Sequence, residues 1–365
     1  MRKVLACPSR YIQGKGEMAS IAEHSASLGS NAFILISENG IKRYGQDIEK
    51  GFEEQDVPFI FVRFEGESSK EEIERLRKEY TALGCDFVVG VGGGKIIDTA
   101  KAVAYYESVP VVIAPTIAST DAPTSALSVL YTPDGQFDEY LFLPKNPDVV
   151  LVDTAVIVAS PVRFTVSGMG DALATYFEAT SAIAKDSDNF VGGKATVAAY
   201  AIAELCYDIL LSHGKSAVEA LKVGAITQAV EKIVEANTLL SGVGFESCGI
   251  SAAHSIHNGL TALHETHDYY HGEKVAFGVV TQLVLEDYTK EEIEEVYEFC
   301  ISVGLPVTLG ELGVQDLSRE NLMKVAELAC VEGETIHNTS VAVNPDSVLD
   351  AMLAADALGK MYKSA

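Results

Sequence analysis

The chain has 365 residues, of which 48% are hydrophobic, so it is long enough for two domains with sizeable cores. Its 52 acidic and 27 basic residues give a formal net charge of -25, which argues against nucleic acid, anionic membranes and strongly anionic substrates as partners. Six cysteines without a C-x-x-C pair indicate free thiols in a reducing compartment. We expect a cytoplasmic protein with neither a signal peptide nor a membrane span.

Up to about residue 160, short apolar runs alternate with charged stretches of helical periodicity. The runs predict strands at 32–37, 57–63, 86–91, 110–115 and 148–153, and the stretches between them predict helices at 41–54, 69–83 and 95–106. This alternation is typical of a parallel sheet covered on both faces. Segments 127–131 and 136–142 break the rhythm, and Pro133-Asp134-Gly135 between them predicts an inserted β-hairpin.

Strand signals end near Ser160–Pro161. Beyond this point the apolar pattern predicts helices at 195–211, 216–239, 274–286, 290–303 and 346–360. We therefore predict two domains, an α/β nucleotide-binding domain over 1–160 and a helical metal and substrate domain over 161–365.

A glycine turn follows the predicted strand 86–91 directly. Gly92, Gly93 and Gly94 lack Cβ atoms, so a phosphate can approach their backbone amides, and the helix beginning near Lys95 directs its dipole at the same point. The pattern therefore predicts a phosphate cradle, with a strand–helix turn that merely needs glycine as the alternative.

The end of an earlier strand is where an adenosine ribose is expected. Glu38, after Ser37, can accept hydrogen bonds from a 2′-hydroxyl and would repel a 2′-phosphate, which favours NAD over NADP. A plain acidic residue at a helix N-terminus explains Glu38 equally well.

Asp171, His254 and His271 are candidate metal ligands, because imidazole nitrogen and carboxylate oxygen suit a catalytic divalent metal with an open position. Asp171 follows Gly168-Met169-Gly170 and heads a helical pattern, so a helix N-cap is the alternative. His254 lies on an Ala-rich helix with His257 at i+3, and a hydrogen-bonded core histidine is the alternative there. Spacing alone does not assemble the three.

Several motifs, in this order, resemble those of the iron-containing alcohol dehydrogenase superfamily and, within it, the glycerol dehydrogenases. The resemblance covers nearly the whole chain, and the matching segments are 8–14, 92–95 with Asp98 and Lys101, 115–125, 168–172, 244–247 and 271–274. It implies a dehydroquinate synthase-like fold, an active site in the cleft between an α/β and an all-α domain, NAD as cofactor, and a homo-oligomer.

The resemblance also implies roles for single residues. It implies that Asp171, His254 and His271 hold the metal and contact the substrate. It also implies that Asp121 binds substrate hydroxyls and that Phe245 lines the substrate pocket. Thr175 stands where iron-using relatives carry a fourth ligand, a histidine, which favours zinc. The residues assigned to NAD are Ser37, Glu38, Gly92, Gly93, Gly94, Lys95, Asp98, Thr116, Ser119, Ser125, Leu127 and Tyr131.

The implied reaction is NAD-dependent oxidation of glycerol and related vicinal diols to hydroxyketones such as dihydroxyacetone. Asp121 would orient the diol, and His257 or water would carry the released proton outward. Two alternative reactions, a metal- and NAD-dependent lyase or cyclase of the dehydroquinate synthase type and glycerol-1-phosphate dehydrogenation, need more basic residues than Lys274 near the site. A non-catalytic nucleotide- or metal-binding protein is the third alternative.

Overall fold

The computed structural model describes residues 1–364, apart from the side chain of Phe137. The chain divides into two compact units, one formed by Ala6–Pro161 and the other by Met1–Leu5 together with the chain from Val162 onwards. The first five residues, which we assigned to the α/β domain, therefore group with the helical unit, where Lys3 bridges to Lys194. The domain boundary near residue 160 stays a prediction.

The first unit is built on a parallel sheet of six strands: β1 (Tyr11–Gly14), β2 (Ala32–Ile36), β3 (Phe59–Arg63), β4 (Phe87–Gly92), β5 (Val111–Pro115) and β8 (Val149–Asp153). They lie in the order β1-β8-β5-β4-β2-β3 across the sheet. The residues of β2, β4, β5 and β8 are all buried, as expected for parallel strands covered on both faces. Five of the six strands were predicted; β1 is a short, half-buried edge strand without an apolar run.

Helices follow the strands as the alternation predicted. They are α1 (Ile21–Ser25), α2 (Glu38–Glu54), α3 (Lys70–Leu83), α4 (Gly94–Glu107) and α5 (Thr154–Val158). Ile48 and Phe52 of α2 enter a core cluster with strand residues such as Ile34 and Val89. Helix α2 begins where Ser37 Oγ accepts from Gly40 N at 3.0 Å.

The predicted hairpin is present as an antiparallel pair, β6 (Leu127–Tyr131) and β7 (Phe137–Phe142). Leu127 is opposite Phe142 and Val129 is opposite Tyr140, with an irregularity at Leu130/Tyr131. Gly135 has φ 86°, the left-handed conformation that explains glycine in this turn.

The described part of the second unit is helical. Its α-helices are α6 (Val162–Ala184), α7 (Val197–Lys222), α8 (Gln228–Glu235), α9 (Ser241–Cys248), α10 (Ala252–Leu260), α11 (His271–Leu285), α12 (Lys290–Val303), α13 (Arg319–Ala329) and α14 (Pro345–Ser364). A π-helical segment, Ala236–Leu240, lies between α8 and α9. Within residues 1–364, no helix is both long and apolar enough to span a membrane.

Two predictions about this unit were wrong. Helix α7 continues through 212–215, where we predicted a break. Gly214 does not end the helix; its missing side chain makes room for the ring of Phe299, from which a Cβ on Gly214 would lie only 2.7 Å away. The break comes instead at Gly224, which has φ 67°. Helix α6 begins nine residues before Asp171, so Asp171 lies within the helix and is not an N-cap.

Candidate active site

The glycine turn of the first unit leaves its backbone accessible. Helix α4 begins at Gly94, directly after β4, with Gly93 at the N-cap and no side chain capping it. A Cβ at Gly94 would have no neighbour within 4 Å, whereas one at Gly92 would collide with Ile96 at 2.5 Å. Unpaired amides at a helix start beside open space fit a phosphate group. Lys95 is largely exposed, and its Nζ lies 2.6 Å from Glu67 Oε2.

The segment that follows the glycine turn is joined to the start of the hairpin. Lys101 is 1% exposed, its Nζ lies 3.1 Å from Asp98 Oδ1, and it donates to the carbonyl oxygens of Ala122, at 2.9 Å, and Leu127. Burial raises the pKa of Asp98, and the charge of Lys101 opposes that rise. Asp98, which we assigned to NAD, is thus buried in an ion pair with Lys101. Lys101 in turn contacts Leu127, another residue that we assigned to NAD.

The other residues that we assigned to NAD lie in the same unit. Thr116 N donates to Gly92 O at 2.9 Å, so Thr116 begins its loop beside the glycine turn. Ser119 is half-buried in that loop, and Ser125 is buried. Tyr131 is half-buried at the end of β6, and burial raises the pKa of its phenol.

At the carboxyl end of β2, Glu38 has two cationic partners. Its carboxylate lies 2.8 Å from Lys42 Nζ and 2.8 Å from Arg63 Nη2, and these contacts, chiefly the hydrogen bond from Lys42, lower its pKa. Ser37 caps α2 with its hydroxyl. The sheet places the end of β2 beside β4 and its glycine turn, the arrangement expected at an adenosine ribose.

In the second unit, Asp171, His254 and His271 converge. The ligand atoms that they offer lie within 4.8 Å of one another. His254 Nε2 and His271 Nε2 face the same oxygen, Asp171 Oδ1, at 3.3 and 3.0 Å. Asp171 comes from within α6, His254 from α10, and His271 is the first residue of α11. Two imidazole nitrogens and a carboxylate on three separate helices are a donor set that fits a divalent metal such as zinc or iron.

The remaining ring nitrogens of both histidines are engaged, which fixes how the rings face the cluster. Glu178 is fully buried on α6, and its Oε2 lies 2.5 Å from His254 Nδ1. Its other oxygen accepts from the backbone nitrogens of Ser251 and His254, at 3.0 and 3.1 Å. His257 Nε2 lies 3.1 Å from His271 Nδ1. Metal-binding histidines are commonly oriented in this way.

The carboxylates around the two histidines favour positive charge in the cluster. Burial raises the pKa of Asp171, but the charge of His271 and the hydrogen bonds from both histidines outweigh it and hold that pKa well below its usual range. Burial lowers the pKa of His254, yet the charge of Glu178 and contacts with Asp171 raise it overall. Burial, then the charges of His271 and Lys274, lowers the pKa of His257. The two carboxylates that favour a proton on His254 would equally favour a metal cation.

Other candidate residues are placed as follows. Thr175 is buried, and its Oγ1 lies 2.9 Å from Ser241 Oγ. Phe245 is buried on α9, with its ring centroid 6.0 Å from that of Phe190. Asp121 is half-buried on the loop between β5 and β6 in the first unit. His264 and His267 are exposed.

Sequence reasoning missed Glu178. Its signal was present, because Glu178 follows Asp171 by seven residues and therefore lies two turns along the same face of one helix. This spacing alone could not show that Glu178 contacts His254, which lies 76 residues further along the chain.

Comparison with known proteins places the chain among dehydrogenases. The family model described as "Iron-containing alcohol dehydrogenase" matches residues 8–154. A glycerol dehydrogenase of Thermotoga maritima is 53% identical over 361 residues, which cover 98% of both chains. A glycolaldehyde reductase of Halobacterium salinarum is 48% identical over 363 residues, which cover both chains completely.

A solved structure shares the whole fold. The crystal structure of a probable glycerol dehydrogenase from Sinorhizobium meliloti superposes with a TM-score of 0.93 at 48% identity, over 99% of this chain and 100% of that one. Such agreement extends the likeness beyond the 8–154 segment to the helical unit, which carries the Asp171 cluster.

Proposed function

Because the chain belongs to the iron-containing alcohol dehydrogenase family, we propose that it oxidises glycerol and related vicinal diols, with NAD as hydride acceptor, to hydroxyketones such as dihydroxyacetone. The observation that carries this proposal is the convergence of Asp171, His254 and His271. The glycine turn before α4 supplies the second feature that the reaction requires, a place for a dinucleotide phosphate.

The family implies a divalent metal and NAD, and the residues described above fit both. When bound, the metal would act as a Lewis acid that eases loss of the hydroxyl proton, and NAD would accept the hydride. Asp171, His254 and His271 would hold the metal. Gly92, Gly93 and Gly94 would hold the phosphates.

We propose zinc as the metal. The Oγ1 of Thr175, at the position where iron-using relatives carry a histidine, is hydrogen-bonded to Ser241 and offers no imidazole. A Cβ on Gly244 would lie 2.6 Å from Thr175 Cγ2, so this position is tightly packed as well. Three protein ligands leave coordination positions for a diol, as in catalytic zinc sites.

The remaining proposals concern the residues that bind the substrate and the residue that carries the released proton. We propose that Asp121 binds the substrate hydroxyls and that Phe245 lines the substrate pocket. His257 is the proposed proton carrier, since its Nε2 lies 3.1 Å from Nδ1 of the proposed metal ligand His271.

The test is NADH formation from glycerol and NAD after chelation and again after zinc or iron is restored. We expect activity to disappear and to return best with zinc. His254→Ala and His271→Ala should abolish turnover and leave NADH binding unchanged. Turnover that survives either substitution would refute the metal-ligand assignment, and substrate conversion without NADH accumulation would favour the lyase alternative.

A second candidate function is reduction of glycolaldehyde, favoured by the 48% identity to a glycolaldehyde reductase over the full chain. Glycerol and ethylene glycol differ by one hydroxymethyl group, and a site that hydrogen-bonds this hydroxyl discriminates the two far more strongly than one that only packs against its carbon. The ratio of kcat/KM for dihydroxyacetone and glycolaldehyde, measured with NADH, decides which is the better substrate.

We further propose that the enzyme is a cytoplasmic homo-oligomer. Free, buried thiols such as Cys206 and Cys300 suit a reducing compartment, and the family resemblance implies the oligomer. Light scattering that gave the mass of one chain, 39.0 kDa, would contradict the oligomer.

A further inference from the structure

We propose that Arg163 is a positioning residue for the metal ligand His271, acting through Glu273 at the start of α11. The inference rests on the proposed function only in taking Asp171, His254 and His271 as the metal site. It concerns metal affinity and does not depend on which alcohol is oxidised.

The position of His271 depends on how the N-terminus of α11 is held, because His271 is the first residue of that helix. The backbone N–H of Tyr270, at the N-cap, donates to Glu273 Oε2 at 2.8 Å. This bond closes the first turn of α11 around His271. The orientation of the Glu273 carboxylate therefore affects the backbone that carries the ligand.

Arg163 fixes that carboxylate with two bonds. Its Nε donates to Glu273 Oε1 at 2.6 Å and its Nη2 to Glu273 Oε2 at 2.8 Å, the bidentate geometry that gives an arginine–carboxylate pair its directionality. Glu273 is only 7% exposed, so the pair is better shielded from water than an ordinary surface ion pair.

Further contacts hold the segment before α11 against the start of α6. The Arg163 guanidinium lies 4.6 Å from the centre of the Tyr270 ring, and the ring of Phe164 lies 4.8 Å from the same ring. Arg163 Nη2 also donates to the carbonyl oxygen of Asp268 at 3.3 Å. We call Arg163, Glu273 and Tyr270 the Arg163 clamp.

A second point of contact between α6 and α11 lies closer to the metal cluster. Gly272 N donates to Ser167 Oγ at 3.2 Å, and a Cβ on Gly170 would lie 2.2 Å from Gly272 O. Helices α6 and α11 also meet near their other ends, where Gln282 Nε2 donates to the carbonyl oxygen of Phe177 at 3.3 Å. The Arg163 clamp, about two turns before Asp171 on α6, holds the end of this packed pair that carries His271 and so fixes the approach of His271 Nε2 to Asp171 Oδ1.

Because Arg163 lies at the surface, its effect on the position of His271 can be distinguished from an effect on the stability of the whole fold. Its side chain is 48% exposed and borders an open cavity of about 610 Å³ that Glu265, Asp268 and Glu311 also line. Truncating it removes little packed core but leaves the nearly buried Glu273 carboxylate without its cation, so some stability is lost as well. A Zn²⁺ affinity that falls while the metal-free variant still folds would then report on the position of His271.

The chain offers a matched control. Arg77 Nε donates to Glu107 Oε1 at 2.6 Å, and its guanidinium lies 5.1 Å from the centre of the Tyr106 ring. This is the same combination of carboxylate pair and ring contact, in the other unit. Arg77→Met therefore reproduces the chemical change of Arg163→Met without touching α6 or α11.

The experiment measures the dissociation constant of Zn²⁺ by competition with a chromophoric chelator, together with the melting temperature of the metal-free protein. We expect Arg163→Met and Glu273→Gln to weaken Zn²⁺ binding about tenfold, and Arg163→Lys to weaken it less, since lysine keeps the charge and loses the bidentate geometry. Arg77→Met should leave Zn²⁺ affinity unchanged.

Unchanged Zn²⁺ affinity in both Arg163→Met and Glu273→Gln would overturn the inference, as would an equal loss in Arg77→Met. If Arg163→Met does not fold, Glu273→Gln, which keeps the size of the side chain, decides. The two proposals fail separately: a protein that binds Zn²⁺ but makes no NADH from diols contradicts the proposed function, and the affinities of the variants still decide the role of the clamp.

Discussion

At the scale of single residues, the metal cluster is defined as much by the groups behind the histidines as by the histidines themselves. Glu178 holds His254 Nδ1 at 2.5 Å and His257 lies 3.1 Å from His271 Nδ1, so both rings direct Nε2 at Asp171. A histidine with one nitrogen engaged presents the other in a fixed tautomer and direction. The sequence predicted the ligands from their residue types and from the family resemblance, and the tertiary contacts explain why the orientation of the two imidazole rings is fixed.

Replacing the carboxylate behind His254 should weaken metal binding without loss of a ligand. We expect Glu178→Gln to reduce Zn²⁺ affinity roughly 10- to 100-fold, because the amide holds the imidazole less strongly. Chelator competition measures the effect. Asp356→Asn is the control, since Asp356 is also buried in the helical unit and accepts from Leu309 N at 2.9 Å, away from the cluster. Equal losses in the two variants would contradict a specific role for Glu178.

Cofactor choice is a second property argued from single residues. Glu38 pairs with Lys42 and Arg63 at the end of β2, so its removal would leave two cations there. We expect Glu38→Gln to raise kcat/KM for NADP relative to NAD roughly two- to fivefold, because these pairs are exposed and screened. Steady-state kinetics with both cofactors measure the ratio. An unchanged ratio, at low salt as well, would mean that the ribose is bound elsewhere.

At the scale of elements, glycines allow α6 to pack closely against α11, and this packing places Asp171 in the candidate site. The motif 168–170 looked like the start of a helix because glycine is a poor residue inside one. Helix α6 nevertheless runs through it, since Gly170 and Gly272 allow the two backbones to touch where side chains would collide. Close packing of α6 against α11 is what places Asp171 beside His271.

A side chain at this contact should disturb both stability and metal binding. A Cβ at Gly272 would lie 1.8 Å from Ser167 O, so Gly272→Ala is expected to cost about 1–3 kcal/mol of unfolding free energy and to weaken Zn²⁺ binding. Denaturant unfolding and chelator competition measure the two effects. Gly310→Ala is the matched control in the same unit, because a Cβ there would meet nothing within 4 Å. Wild-type Zn²⁺ affinity in a folded Gly272→Ala variant would contradict the argument.

At the scale of the whole molecule, the proposed metal would join three helices that are far apart in sequence. Asp171 and His254 are separated by 83 residues, and His271 begins yet another helix. A ligand that binds only the folded state stabilises it by mass action. The helical unit should therefore gain stability from the metal, and the parallel-sheet unit, which carries none of the three ligands, should not gain it directly.

Removing the metal should lower the melting temperature of the helical unit. At free Zn²⁺ roughly 100-fold above its Kd, the expected loss on chelation is about 2.7 kcal/mol, which returns when Zn²⁺ is restored. Differential scanning calorimetry with and without chelator measures it. In Asp171→Asn, which lacks one ligand, chelation should have little effect; an equal shift there would indicate that the chelator acts at another site.

The sequence by itself determined the alternation of strands and helices, the hairpin, the glycine turn and the chemical types of the proposed metal ligands. These features are local, since period, turn chemistry and donor atoms are properties of short segments. Only the tertiary structure decided that α6 continues through its glycines and that α7 does not break at Gly214. It alone also decided that Glu178 contacts His254, that Lys101 contacts the start of the hairpin and that Arg163 pairs with Glu273. Those features depend on which distant backbone each segment approaches, and the energy of a close contact between α6 and α11 is not recorded in the sequence of either helix alone.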